Sequence, residues 1–185
     1  MANKKIIIGL VGQLACGKGT VAEYLKKKYG ASVYRYSTML RDVLNRLYLE
    51  INRVNIQDLS SVLRKKFGED LLAKVITEDV KKDSNKLIVV DGIRRMDDIK
   101  YLINEEGFIL TKVTAKPETR YKRITGRGEN TDDTKKTFAQ FLKDETKEAD
   151  AGIPKVMTKA KKEINNDGDL DDLHKQVDNL IKELA

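Results

Sequence analysis

A glycine-rich segment near the N-terminus, GQLACGKGT at residues 12 to 20, has the clearest chemical potential in the chain. Gly12, Gly17 and Lys18 match the spacing of loops that bind phosphate groups, whereas Gly19 stands where such loops carry Ser or Thr, and Thr20 follows one place later. Glycines let backbone N–H groups converge on phosphate oxygens, and a helix beginning near Lys18 would direct its positive end there. We therefore predict a triphosphate site; the alternative is a strand-to-helix turn without a ligand.

The apolar run LIVVD ends in a second candidate, Asp91. Since Mg²⁺ prefers oxygen ligands, the carboxylate of Asp91 and the hydroxyl of Thr20 are the residues we expect to hold it. Asp91 could instead accept a proton from a substrate, or simply stabilise the turn that follows it. One cysteine and one histidine cannot form an ordinary zinc site.

Apolar runs alternate with segments of helical periodicity along the whole chain. We predict strands at 5–11, 31–36, 86–91, 108–115 and 161–165. We predict helices at 18–29, 37–51, 56–82 with a break near Gly68, 95–105, 117–125, 133–149, 153–160 and 170–184. Gly30 should end the first helix, Ser37 and Thr38 should cap the second, and His174 should face solvent.

The continuous apolar run at 86–91 is typical of a strand buried on both faces of a parallel sheet. The alternation therefore predicts one α/β domain over residues 1–185, a three-layer α/β/α P-loop NTPase fold with a five-stranded parallel sheet. Residues 37–82 hold extra helices and no strand, so we expect a helical insertion beside the sheet.

Composition restricts the function classes. Hydrophobic residues make up 40% and charged residues 35% of the 185 residues, with a formal net charge of +7. The first apolar run is too short to span a membrane, so we expect a cytoplasmic protein with no membrane partner. The positive charge indicates anionic partners, but aromatic residues do not alternate with basic ones as single-stranded nucleic acid binding requires. Nucleic acid is therefore disfavoured, and the oligomeric state stays open.

Four segments resemble adenylate kinase and related nucleoside monophosphate kinases: GKGT at 17–20, YSTMLRDVL at 36–44, VVDGIRR at 89–95 and KPETRYKRITGR at 116–127. Two more, LRKKFGEDLLA at 63–73 and EINNDGDLDDL at 163–173, resemble dephospho-coenzyme A kinase. This resemblance covers most of the chain. It implies an enzyme that uses ATP and Mg²⁺ to phosphorylate a small nucleotide or nucleotide-like acceptor. It also implies that the helical insertion at 37–82 binds this acceptor and that residues 126–135 form a short lid.

The resemblance also implies a set of site residues. The implied catalytic residues are Lys18, Asp91, Arg123 and Arg127. The implied nucleotide-binding residues are Gly12, Ala15, Cys16, Gly17, Lys18, Gly19, Thr20 and Arg123, with Asn165, Asp167 and Gly168 in the loop from 165 to 168 beside the adenine. The implied acceptor-binding residues are Ser37, Arg41, Arg64 and Arg94. The metal residues remain Thr20 and Asp91.

The chain departs from the adenylate kinase pattern in its lid, where Asn130 stands in place of an arginine. A lid with less positive charge keeps two alternatives open besides dephospho-coenzyme A kinase-like activity: an NTP hydrolase, and a nucleotide sensor with weak or no kinase activity. Hydrolases of this type usually follow the strand-end Asp with Glu to activate water, but Gly92 follows Asp91 here. The small residue leaves room for an acceptor and favours the kinase.

Overall fold

The computed structural model describes residues 5–127, 137–144 and 151–185. Its centre is a sheet of five parallel strands: β1 Ile6–Val11, β2 Ser32–Arg35, β3 Leu87–Ile93, β4 Phe108–Thr114 and β5 Lys162–Asn165. The strands are ordered β2-β3-β1-β4-β5. All five predicted strands are therefore confirmed, and β3 lies between two neighbours, as its continuous apolar run required.

Eight α-helices lie within the described residues. They are α1 Lys18–Tyr29, α2 Tyr36–Arg46, α3 Arg53–Phe67, α4 Leu71–Lys82, α5 Pro117–Arg127, α6 Phe138–Asp144, α7 Ile153–Met157 and α8 Leu170–Leu184. Because successive strand residues point to opposite faces, β1 supplies both layers of the core. Ile7 packs in the cluster shared with α2, α4 and α7. Ile8 packs in the cluster shared with α1 and α8. Helices thus cover both faces of the sheet, which confirms the predicted three-layer fold.

Several predicted helix ends are confirmed by their glycines. Gly30 (φ 68°) ends α1 and donates its N–H to the carbonyls of Leu25 and Lys26. Gly68 (φ 107°) ends α3 and separates it from α4, as the break in the 56–82 pattern indicated. Both residues adopt backbone conformations that residues with a Cβ atom rarely take.

Other helix boundaries were wrong. The helix predicted over 37–51 begins at Tyr36 and ends at Arg46, since Tyr48 takes a positive φ of 56° and the Leu49 N–H bonds back to the Leu44 carbonyl at 3.0 Å. Strand β2 runs directly into α2, so Ser37 and Thr38 lie in the first turn and do not cap it.

The predicted helix at 95–105 is replaced by two 3₁₀ turns, Met96–Ile99 and Leu102–Asn104. The carboxylate of Asp98 explains the first turn, because it accepts the backbone N–H groups of Arg94 and Arg95, both at 2.9 Å. The prediction for 153–160 was too long, as α7 ends at Met157. Of the helix predicted at 133–149, only the part in α6 lies within the described residues.

Candidate functional site

A cavity of about 1240 Å³ opens where β1 and β3 end. It is lined by Gly12, which follows β1, by Asp91 in β3, and by the first residues of α1. Ligands of open parallel sheets bind outside the carboxyl ends of the strands, so this is the expected position for a site. The cavity continues between α1 and α8, where it is lined by Tyr24 and His174.

The segment from Gly12 to Gly17, called the phosphate loop below, has no space for additional side chains. A Cβ atom at Gly12 would lie 2.3 Å from the carbonyl oxygen of Val113. A Cβ atom at Gly17, whose φ is 103°, would lie 2.0 Å from the Asn166 side-chain nitrogen. Ala15 also has a positive φ, of 60°. These contacts and backbone conformations fix the shape of the loop. The loop leads directly into the N-terminus of α1, where backbone N–H groups favour an anion.

Lys18 and Cys16 have different positions around this loop. The Lys18 ammonium donates to the carbonyl oxygens of Gly12 at 2.6 Å and Gln13 at 3.1 Å, and its residue lines the cavity. Cys16 is 1% exposed and packs in the core beneath the loop. Cys16 therefore contributes packing and a backbone carbonyl, whereas Lys18 holds a mobile positive charge at the cavity.

Asp91 has one oxygen that is paired and one that is not. Its Oδ2 atom lies 3.2 Å from Nε of Arg35, while Oδ1 is buried and, within the described residues, has no hydrogen-bond partner. Thr20 also lines the cavity. An unpaired buried carboxylate oxygen beside a hydroxyl and a triphosphate loop fits a site for Mg²⁺, with Asp91 and Thr20 as its protein ligands. Among the described residues no three His, Cys, Asp or Glu side chains come together, so phosphate or water oxygens would complete the site.

Asn166, which lies within the loop from 165 to 168 that the resemblance indicated, ties this loop after β5 to the phosphate loop. Its side-chain nitrogen donates to the carbonyl oxygen of Cys16 at 2.9 Å. In turn, Nη2 of Arg123 donates to the backbone oxygen of Asn166 at 2.8 Å. Nη1 of Arg123 is buried and has no partner in the described part of the chain. Arg123 and Asn166 both line the cavity, so Arg123 holds a positive charge beside the phosphate loop.

Two other predicted residues in the loop after β5 lie outside the cavity. The carboxylate of Asp167 accepts the backbone N–H of Lys116 at 2.7 Å, and this bond lowers the pKa of Asp167. Asn165 is exposed, and its backbone pairs with Gln176 of α8. These contacts direct both residues to the edge of the sheet. Gly168, by contrast, lines the cavity as expected.

The four predicted acceptor residues separate into two groups. Ser37 and Arg94 line the cavity. Arg41 is exposed on α2 and is not part of the cavity wall. Arg64 is 7% exposed, and its Nη2 lies 2.9 Å from Oδ1 of the buried Asp98. Arg64 therefore serves a buried ion pair, which is a correction to its prediction as an acceptor contact.

Ala15, Gly17 and Gly19 line the cavity together with the other loop residues. Arg127 is the last residue of α5, and its side chain lies outside the described part of the structure. Residues 128–136, which include most of the predicted lid at 126–135, also lie outside it. The role of Arg127 and of the lid thus stays a prediction.

Arg35, Tyr24 and His174 are among the cavity residues that sequence reasoning missed. The ring of His174 stacks on that of Tyr24, with centroids 3.7 Å apart and planes at 8°, so the prediction that His174 faces solvent was wrong. Lys28 and Tyr29 of α1 donate hydrogen bonds to Asp178 of α8 and lower the pKa of its carboxyl to about 2. These bonds fix α1 against α8 next to the stacked rings of Tyr24 and His174. Neither pairing has a sequence signal, because the partners lie on helices far apart in the chain.

Comparisons with known proteins agree with this architecture. A family model described as an AAA domain matches residues 11–151, about three quarters of the chain. The chain belongs to this AAA-domain family.

Relatives and solved structures extend the family match to the full chain. The UPF0200 protein of Staphylothermus marinus is 28% identical over 182 residues, which cover 98% of this chain and 94% of the relative. The UPF0200 protein of Methanothrix thermoacetophila is 29% identical over 181 residues, which cover 97% and 98%. The fold is shared with TT1252 from Thermus thermophilus (TM-score 0.60, 18% identity, covering 98% and 99%). It is also shared with shikimate kinase from Bacteroides thetaiotaomicron (TM-score 0.55, 15% identity, covering 97% and 98%).

Together these matches place the whole chain with the UPF0200 proteins in the AAA-domain family, and the solved structures show that its fold is shared with a kinase. In this AAA-domain protein, the described helices include none long and apolar enough to cross a membrane. The cavity combines a backbone cradle for phosphate, a mobile lysine, a carboxylate with a free oxygen and several arginines. Such a site can bind a nucleotide and stabilise negative charge on phosphate oxygens, which is what phosphoryl transfer requires of a protein.

Proposed function

We propose that this protein is an ATP-dependent phosphotransferase that moves the γ-phosphate of ATP to a nucleoside monophosphate or a related nucleotide-like acceptor. The observation that carries the proposal is a single cavity lined by two sets of residues. One set belongs to the phosphate loop and α1, and the other, Ser37, Asp91 and Arg94, lies at the ends of β2 and β3. A donor and an acceptor could therefore bind side by side.

The space beside Asp91 supports a transfer to an acceptor rather than to water. Gly92 has a φ of 88°, and the nearest atom to a Cβ built there is the Tyr36 backbone nitrogen at 4.0 Å. The position where a hydrolase usually carries Glu thus has no carboxylate, and room is left for a substrate. A solved protein of the same fold is named shikimate kinase, which supports a small acceptor as the class of substrate.

In the proposed reaction, an oxygen of the acceptor phosphate forms a bond to the γ-phosphorus of ATP. The bond between that phosphorus and the β,γ-bridging oxygen breaks, and its electron pair leaves with ADP. A phosphate acceptor that is already deprotonated requires no proton transfer. The protein's task is therefore to align the two phosphates and to balance their charge.

The protein's own residues would divide this task. Backbone N–H groups of the phosphate loop hold the β-phosphate, and Lys18 exchanges its loop carbonyls for β- and γ-phosphate oxygens. Arg123 offers its unpaired Nη1 on the nucleotide side. Arg94 and Ser37 hold the acceptor phosphate. Mg²⁺ bound by Thr20 and Asp91 would neutralise charge on the β- and γ-phosphate oxygens.

The proposal is tested first by ATP binding. We expect Lys18→Ala to weaken the binding of ATP by about 10- to 100-fold, because hydrogen bonds from a charged group contribute about 1.5–3 kcal/mol. Lys26→Ala is the matched control, since Lys26 is an exposed lysine of the same helix. Calorimetric titration gives both affinities. Equal ATP affinities of Lys18→Ala and the unsubstituted protein would overturn the phosphate site.

The acceptor is tested by measuring ADP release with separate candidates: nucleoside and deoxynucleoside monophosphates, dephospho-coenzyme A, shikimate and water alone. We expect ADP release to depend on an acceptor with a phosphate group. Equal release with and without any acceptor would instead support an NTP hydrolase. ATP binding with no release under any condition would support a nucleotide sensor.

A further inference from the structure

Arg35, the last residue of β2, lies between the two halves of the cavity. Its Nε is 3.2 Å from Oδ2 of Asp91 in β3. Its Nη2 lies 3.9 Å from the position that a Cβ atom of Gly19, in the first turn of α1, would occupy. The side chain is 43% exposed and lines the cavity. One guanidinium thus reaches from the candidate metal carboxylate to the start of the phosphate-binding helix.

We infer that Arg35 is a substrate-contacting arginine of the proposed transfer site, whose guanidinium exchanges Asp91 for phosphate oxygens when ATP binds. This inference rests on the proposed function. It assigns to β2 a positive charge that the sequence motifs did not indicate, because the resemblance selected Arg41, six residues further along, for the acceptor side.

The ion pair with Asp91 is suited to such an exchange. A partly exposed pair stabilises a protein by only about 0–1 kcal/mol, so little is lost when it opens. An arginine fork bonds more strongly to phosphate, which offers several charged oxygens in a matching geometry. Opening the pair also frees the second oxygen of Asp91, whose Oδ1 is already without a partner in the described residues. Phosphate binding by Arg35 would therefore leave the Asp91 carboxylate available to a metal.

The other positive groups at the cavity have different positions. Lys18 begins α1 and bonds back to the Gly12 carbonyl of the phosphate loop, and Arg123 is tied to Asn166 at the α8 end. Arg35 approaches from the β2 end, beside the point where α2 begins with Tyr36. A positive charge there can balance charge on the transferring phosphate from the β2 side of the cavity. This would offset the arginine that the sequence lacks at Asn130.

The alternative role for Arg35 is to inhibit metal binding, because its ion pair occupies the Asp91 carboxylate that would otherwise bind Mg²⁺. The two roles predict opposite results for Arg35→Gln. A phosphate-binding Arg35 predicts that Arg35→Gln weakens ATP binding about 10-fold without Mg²⁺, when phosphate charge is not neutralised by metal, and by a smaller factor with Mg²⁺. A blocking Arg35 predicts unchanged ATP affinity without Mg²⁺ and tighter binding with it.

The experiment is a calorimetric titration of the full chain with ATP, in the presence of Mg²⁺ and of EDTA. Arg35→Gln should lose about 10-fold in EDTA, and Arg35→Lys, which keeps the charge but not the fork, should recover part of that loss. Arg46→Gln, an exposed arginine of α2, is the control and should bind like the unsubstituted protein. Thermal unfolding of each variant checks that it is folded, and Arg35→Lys keeps the comparison valid if Arg35→Gln is not.

The results of these titrations distinguish a failure of the inference about Arg35 from a failure of the proposed function. If Lys18→Ala loses ATP binding while Arg35→Gln binds as tightly as the unsubstituted protein in EDTA, the inference about Arg35 is wrong and the proposed function stands. If the unsubstituted protein binds no ATP under either condition, the proposed function is wrong and the inference falls with it.

Discussion

The two sides of the cavity are built by different means. The phosphate loop is fixed by its own backbone and by Asn166, and leaves no room at Gly12 or Gly17. On the acceptor side, Gly92 has free space beside it, and Arg94 is exposed. A buried ion pair beneath that side, Arg64 with Asp98, holds the turn that carries Arg94. The donor side is therefore already fixed in shape before a ligand binds. The acceptor side is held by the buried ion pair of Arg64 and Asp98 but keeps free space beside Gly92.

The largest expected effect comes from breaking that anchor. Arg64→Ala would leave the carboxylate of Asp98, which is 2% exposed, without its charged partner. Removing one member of a buried ion pair destabilises a protein by about 3–5 kcal/mol. Two backbone N–H groups still bond to Asp98, so we expect the lower part of this range. Urea unfolding measures the loss, with the exposed neighbour Lys65→Ala as the control.

This variant also tests the correction made to the sequence prediction. If Arg64 contacts the acceptor, Arg64→Ala would raise the KM for the acceptor while its stability matched that of Lys65→Ala. We expect the reverse: a large loss of stability and, at a temperature where the variant is folded, an acceptor KM within about twofold of normal. Asp98 still accepts the N–H groups of Arg94 and Arg95 in this variant, so the turn that carries Arg94 keeps its shape.

The sequence predicted the donor side far better than the acceptor side, and the reason is physical. A phosphate loop is made by consecutive residues, so its glycines, Lys18 and the following helix are visible as one motif. The acceptor side is assembled from the ends of β2 and β3 and from a turn held by Asp98. Arg64, Arg41 and Arg35 have the same chemistry in the sequence, and only the fold decides which arginine is buried, which is exposed and which reaches the cavity.

A matched pair of glycines gives the next largest effect. Gly17 and Gly92 both have positive φ, so replacement by Ala strains the backbone of each by about 1 kcal/mol. Only Gly17 adds a collision, because a methyl group there would lie 2.0 Å from the Asn166 side chain. We expect Gly17→Ala to lose at least about 2 kcal/mol of stability, with overpacking added to the strain, and about 10-fold or more in ATP affinity.

We expect Gly92→Ala to keep normal ATP affinity and to lose only the stability that backbone strain costs, since the nearest atom to its added methyl group is 4.0 Å away. Its methyl group would instead reduce the space for an acceptor and slow transfer. Urea unfolding and ATP titration of both variants measure the contrast. Equal effects of the two substitutions on ATP affinity would contradict the view that the donor side is the more rigid one.

The smallest of the three effects concerns Asn166, in the loop after β5. Asn166→Ala removes the bond to the Cys16 carbonyl, which lies in a buried position, and one of the two acceptors of Arg123. Leaving a buried carbonyl unpaired costs about 1–3 kcal/mol, and we expect a loss of stability near the lower value together with weaker ATP binding. Asn165→Ala is the control, because Asn165 is exposed and lies outside the cavity.

Combining Gly17→Ala with Asn166→Ala tests whether Asn166 makes the phosphate loop rigid. In the Asn166→Ala background the side chain that collides with a methyl group at position 17 is gone, so Gly17→Ala should cost only the backbone strain of about 1 kcal/mol. The double variant should therefore lose less stability than the sum of the losses of the two single variants. Strict additivity would mean that the loop can shift away from Asn166, and that its rigidity arises from Gly12 and the Val113 carbonyl on the other side.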